Sequence, residues 1–284
     1  MLDGAVSRLT RRRLARREPI RGVIARSRMT NLSSLSYAAF GGPAGTSRIA
    51  HFLDWLAARR GLGTSMRVLD VGCGPGRMFP AFRALGWEVT SMEPDLDFHE
   101  AAILAATAAG YEPPLPGGFL EIDAAERFDL VTAINDPFAH MLTGRDRADA
   151  LRRVFRALRP NGVVLLDVPN FLWILKHYRA PEPMRAAVPG GEVHLRREHR
   201  VDFHAAVFTT VEHYDLIRGG EHHPSSKTHA YAMTTLPELV YHLESAGFAG
   251  LETYGSWDAR DEERIEGSRL ILSAVRPTSP RHER

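Results

Sequence analysis

The 284-residue sequence holds one cysteine, Cys73, so no disulfide can form within the chain. That scarcity fits a reducing compartment, and a cytoplasmic protein is expected. No run of 18 apolar residues occurs, so no transmembrane helix is expected, and the arginine-rich start has no apolar stretch of signal-peptide length. Lysine is almost missing. Of 36 basic residues only Lys176 and Lys227 are lysine, a skew typical of GC-rich bacterial genomes. Most of the 13 histidines lie between His177 and His242, but His222, His223 and His229 match no recognised ligand spacing. A polar, histidine-rich turn is expected there, with no metal.

The net charge of +2 hides an asymmetry. Residues 1–28 carry nine arginines against Asp3 and Glu18. Such an arm could bind nucleic acid or an anionic membrane. The rest of the chain has no matching basic stripe, so the arm is expected to be a disordered extension of a domain spanning 29–284.

From Met66 onward, strand and helix patterns alternate. Strands are predicted at 66–72, 87–93, 118–123, 128–135 and 161–170, with helices at 77–86, 95–110 and 145–160. Repeated strand-helix units predict an α/β fold with a doubly wound, mostly parallel sheet covered on both faces. After Asn170 the rhythm changes. Three antiparallel strands are predicted at 192–204, 205–217 and 227–235, the last two joined by the turn RGGEHHPSS, so 171–234 reads as an inserted ribbon. Thr235 and Glu238 are predicted to form a capping box, and two closing strands to form a terminal hairpin at the sheet edge.

The most informative stretch is VLDVGCGPGRMFPAF, residues 68–82. A glycine turn between strand and helix lets a ligand approach backbone at the carboxyl end of the sheet. The dinucleotide fingerprint G-x-G-x-x-G is not met, because Arg77 replaces its last glycine. Asp70-Val-Gly-Cys-Gly-Pro-Gly76 instead resembles motif I of the class I S-adenosylmethionine-dependent methyltransferases. That resemblance implies a Rossmann-like, seven-stranded sheet and S-adenosyl-L-methionine as cofactor, held by Asp70, Gly72, Gly74 and Gly76. It further implies Glu93, ending the second strand, as the acceptor of the ribose hydroxyl bonds, and Asp123 as the carboxylate near the adenine amine. Asn135 joins the cofactor set, with Tyr37 as a lid over it.

Strand four runs into Asn135-Asp136-Pro137-Phe138. Enzymes that methylate planar amines of nucleic acid or protein carry N-P-P-Y/F here, and Asp136 departs from that pattern. The turn ending in His140, the helix ending in LRPNG and the ribbon are more similar to small-molecule methyltransferases of the glycine/sarcosine and amino-sugar N-methyltransferase type. That similarity implies His140 as general base or orienting group, with Asp136 as the next catalytic candidate and Phe138, Tyr231 and Arg200 as acceptor contacts. The function expected is methyl transfer to a small-molecule amine or hydroxyl, N-methylation slightly favoured. Nucleic acid is an unlikely partner, and a homodimer is compatible with the sequence. The alternatives are a nucleic-acid or protein amine methyltransferase and a non-catalytic cofactor-binding regulator.

Overall fold

The computed structural model describes Phe40, residues 45–261 and residues 264–278. The basic extension 1–28 and Tyr37 lie outside the described residues. Helix α1 (Thr46–Arg59) precedes β1 (Arg67–Val71), α2 (Phe79–Ala84), β2 (Glu88–Glu93) and α3 (Leu96–Ala109). Then come β3 (Leu115–Pro116), β4 (Phe128–Ala133), α4 (Gly144–Ala157), β5 (Leu158–Pro169) and the short α5 (Phe171–Lys176). Strands β6 (Met184–Val188), β7 (Gly191–Asp202), β8 (Val207–Arg218) and β9 (Glu221–Ala232) form the insertion. Helix α6 (Leu236–Ser245), β10 (Ala249–Tyr254) and β11 (Arg269–Val275) complete the described order.

The main sheet has seven strands in the order β10-β11-β5-β4-β1-β2-β3. Strands β1 to β5 pair in parallel, while β11 is antiparallel to both β5 and β10. The terminal hairpin therefore forms, with its second strand lodged inside the sheet and β10 at the edge. Alternation along the strands divides the core into two layers. Leu69, Val131 and Leu166 pack with Leu151 and Val154 of α4 and Leu239 of α6. Their neighbours Val68, Leu130 and Leu165 pack with Phe52 and Leu56 of α1, Phe82 of α2 and Ala102 of α3. No described helix is long and apolar enough to cross a membrane.

Three sequence expectations need correction. The third strand is only Leu115–Pro116, and residues Phe119–Glu121 form a 3-10 turn instead of a strand. The insertion is a separate sheet of four strands, β6-β7-β8-β9, all antiparallel. Its last turn is the dipeptide Gly219-Gly220, and the histidines after it lie within β9. Pro224 is tolerated there because β9 is an edge strand, bonded on one side only. Finally, Thr235 precedes α6 but makes no side-chain cap bond; Glu238 instead accepts from Arg147 Nη2 at 2.6 Å.

Candidate active site

A cavity of about 650 Å³ lies between the carboxyl ends of β1, β2 and β4 and the inner face of the β7–β9 ribbon. Its floor begins where β1 gives way to the glycine loop. Gly72, Gly74 and Gly76 have φ values of +72°, +58° and +83°, but they do different work. A Cβ on Gly72 would stand 2.6 Å from Pro137 Cβ, and one on Gly76 2.6 Å from the Phe79 ring. A Cβ on Gly74 would meet no atom within 4 Å, and Gly74 lines the cavity. Gly72 and Gly76 thus let protein pack on protein, and Gly74 leaves the ligand space. Gly72→Ala should destabilise the fold by about 2–4 kcal/mol, from positive φ and overpacking together. Gly74→Ala pays only the conformational part. Thermal melts of the two variants check this; equal losses would remove the Pro137 contact as the reason for Gly72.

Glu93, at the end of β2, ties the loop down. Its Oε2 accepts from Gly74 N–H at 2.7 Å and its Oε1 from Asp95 N–H at 2.9 Å. Burial raises its pKa, and these two bonds work against the rise. Asp70 is buried on β1, with Oδ1 accepting from the Thr132 hydroxyl at 2.8 Å. Burial pushes its carboxyl up to about 7, against the Thr132 bond. A cation bound in the cavity would restore the ionised form.

Beyond the end of β4 stand two consecutive left-handed residues, Asn135 (φ 66°) and Asp136 (φ 78°). They are held by Asp167, whose Oδ2 accepts from Asn135 N–H at 2.8 Å and whose carbonyl accepts from Asp136 N–H at 3.0 Å. Asp136 Oδ1 stands 2.7 Å from Arg269 Nη1, and Arg269 also pairs with Asp167. Burial raises the pKa of Asp136 despite that arginine. The residue lines the cavity, but its carboxylate is committed to Arg269, which weakens it as a base.

The 3-10 turn Pro137–His140 brings His140 to the cavity. Its Nδ1 lies 2.9 Å from the carbonyl of Ala230 on β9. A carbonyl only accepts, so Nδ1 carries the hydrogen and Nε2 is left as the acceptor in the neutral ring. Tyr231 packs against it at 4.7 Å between ring centroids. The side chain keeps open surface, yet the groups packed around the ring desolvate it and lower the imidazole pKa, against the Ala230 bond.

The structure therefore brings together Asp70, Gly72, Gly74, Glu93, Asn135, Asp136, His140 and Tyr231. Gly76 supports the loop from behind. Three expected residues stand elsewhere. Asp123 is 95% exposed and pairs with Arg156, because the segment is not a strand; Gly118 and Phe119 reach the cavity in its place. Phe138 is buried edge-on against Phe119 in the core and offers no face to an acceptor. Arg200 is 74% exposed on the outer side of β7, since strand alternation turns Arg197 inward instead.

The ribbon contributes a row that the sequence did not reveal. Arg197, Glu212 and Lys227 are directly opposed across β7, β8 and β9. Glu212 accepts from Arg197 Nε at 2.7 Å, pairs with His229 and bonds Tyr214. Burial disfavours its charge, but the bonds from His229, Tyr214 and Arg197 outweigh this and hold it at about 2. Period-two alternation was the signal available, but it gives no phase without the register. Among the described residues no group of three or more His, Cys, Asp or Glu could hold a metal ion.

A sequence profile for a methyltransferase domain matches residues 44–248. The chain belongs to that methyltransferase family. The domain is similar to glycine N-methyltransferase of Rattus norvegicus, 25% identical over 57% of this chain and 58% of that protein. It is also similar to glycine/sarcosine N-methyltransferase of Parasynechococcus marenigrum (strain WH8102), 28% identical over 63% of this chain and 66% of the relative. The chain thus spans under two thirds of the rat protein's length. Among solved structures, Streptomyces venezuelae DesVI superposes with a TM-score of 0.67 at 17% identity, covering 87% of this chain and 98% of the other. A cofactor-bound amino pentose methyltransferase from Micromonospora echinaspora gives 0.64 at 18% identity, covering 93% and 100%. At these identities the likeness is one of fold: a class I, Rossmann-like methyltransferase sheet.

Proposed function

We propose that the protein transfers a methyl group from S-adenosylmethionine to a small-molecule amine. The observation that carries this reading is the placement of two buried carboxylates, Asp70 and Glu93, beside the open Gly74 loop, with His140 held under the ribbon roof by Ala230. The residues fit the cofactor. Asp70, whose hydrogen bond comes from the neutral Thr132 hydroxyl, suits the ammonium and sulfonium charges, while Glu93 keeps lone pairs for ribose hydroxyls. When bound, S-adenosylmethionine supplies a methyl group already activated by a cationic sulfur. What remains for this chain is to position the acceptor, exclude water and take one proton. His140 Nε2 suits the last task, and the β7–β9 roof the other two.

A hydroxyl acceptor would use the same base; the amine reading draws its support from the glycine and glycine/sarcosine N-methyltransferases that the domain resembles. The planar-amine alternative loses support, because Phe138 is buried and Asp136 is bound to Arg269. The test is incubation with methyl-labelled S-adenosylmethionine and amino sugars, amino acids, amino alcohols, transfer RNA and a basic peptide. Labelled product from a small amine is expected. Cofactor binding with no transfer to any of them would point to a regulator, and salt-dependent labelling of RNA alone would point to a nucleic-acid enzyme.

A further inference from the structure

Two contacts join the two halves of the cavity, the first of them made by Lys227. Lys227, on the inner face of β9, places Nζ 2.6 Å from Asp95 Oδ2 and 3.5 Å from Asp97 Oδ2. The same ammonium stands 4.5 Å from the centroid of the Phe98 ring. Asp95 is no ordinary surface partner. It caps α3 by accepting from Asp97 and Phe98 N–H, and its own N–H donates to Glu93 Oε1 at 2.9 Å. An unbroken chain of contacts thus runs from roof lysine to floor acid to Glu93. Only 17% of the Lys227 side chain and 31% of the Asp95 side chain is exposed, so the pair is screened less than an open surface bridge. Burial works against the charge on Asp95, yet the Lys227 bond holds its pKa below the usual carboxylate range.

Three residues further along β9, about 10 Å at strand rise, the Ala230 carbonyl accepts from His140. One edge strand is therefore fastened both to the cofactor acid's neighbour and to the imidazole at the acceptor. Since β9 is bonded to the ribbon along one side only, it can lift from these two points without breaking the main sheet.

We propose that Lys227 is a positioning residue that latches the acceptor roof to the cofactor cradle, so that roof closure and cofactor binding are coupled. This rests on reading the cavity as an S-adenosylmethionine site. The coupling is reciprocal: a roof held shut by an acceptor tightens the cofactor by the factor with which the cofactor shuts the roof.

The test compares wild type, Lys227→Met and Lys227→Arg, with S-adenosylhomocysteine as the calorimetric probe and hydrogen exchange of the β9 amides as the second readout. Lys227→Met should weaken the probe about 3- to 30-fold, the range between a screened ion pair and a charged hydrogen bond. Stopped-flow dissociation should quicken accordingly, and Lys227→Arg should recover most of the loss. In wild type the probe should protect the β9 amides; in Lys227→Met it should not. Wild-type affinity in Lys227→Met, or lost affinity with β9 protection intact, overturns the latch. If Lys227→Met melts early, Lys227→Arg and the wild-type exchange data decide, since a latch requires β9 to respond to the probe. A wild type that binds no probe sinks the cofactor reading itself, whereas an unaffected Lys227→Met sinks the latch alone.

Discussion

His140→Ala is expected to lower turnover roughly 10²- to 10⁴-fold while weakening the cofactor less than Lys227→Met does, because the Lys227 contact to Asp95 stays in place. The cofactor cradle of Gly74, Glu93 and Asp70 is built from β1, β2 and the glycine loop, and its carboxylates accept from Gly74, Asp95 and Thr132 instead of His140. The imidazole lies under the roof, where its Nδ1–H is taken by Ala230 and Nε2 is left as the acceptor. The pH profile distinguishes a base from an orienting group. A general base must be neutral, so the rate declines as pH falls through its pKa. Desolvation by the groups packed around the ring lowers that pKa, which places the decline below the ordinary imidazole value of 6.5. The alanine variant should lose this limb. A loss near tenfold with a raised KM and an unaltered profile would reduce His140 to orienting the acceptor. Wild-type turnover would remove it from the reaction.

Glu93→Ala should weaken S-adenosylmethionine binding at least tenfold, and more than the loss of a ribose contact alone would require. A hydrogen bond to a charged group is worth roughly 1.5–3 kcal/mol, and about 1.4 kcal/mol is tenfold in affinity. Glu93 also accepts the N–H groups of Gly74 and Asp95, so the variant loosens the loop that shapes the site. Some fall in melting temperature should accompany it, because two N–H groups lose their acceptor. Glu93→Gln retains an acceptor oxygen and should lose less of both. Calorimetry with melts on both variants separates the terms. Unchanged affinity in Glu93→Ala would mean that the acid serves the loop and not the cofactor.

The parts of this site that were legible in the sequence are those whose geometry is local. A glycine turn between a strand and a helix fixes its own ligand approach, so Gly74 and Glu93 could be placed without the rest of the chain. His140 followed from its distance past β4. Side chains whose facing depends on distant pairing were not legible. Arg197 and Arg200 are both arginines on one strand, and only the register with β8 decides which of them faces the cavity. Asp123 was misplaced because a two-residue strand leaves no periodic trace. Phe138 reads the same in sequence whether it stacks on a ligand or packs against Phe119. Strand β6 escaped because MRAAV has no alternation of its own; its pairing with β7 makes it a strand.

The lodging of β11 between β5 and β10 bears on the order in which this molecule can assemble. Of the described strands it is the last to be synthesised, yet every one of its residues pairs with β5, from Arg269 opposite Pro169 to Val275 opposite Val163. Until it arrives, the apolar run Val163–Leu166 has an open flank, and β10 has nothing to join it to the sheet. Arg269 is also missing at that stage, so Asp167 and Asp136 face each other without their shared cation. The sheet thus closes by a pairing across roughly a hundred residues, which is a slow kind of step. The nascent chain must wait for its tail before its centre is sealed.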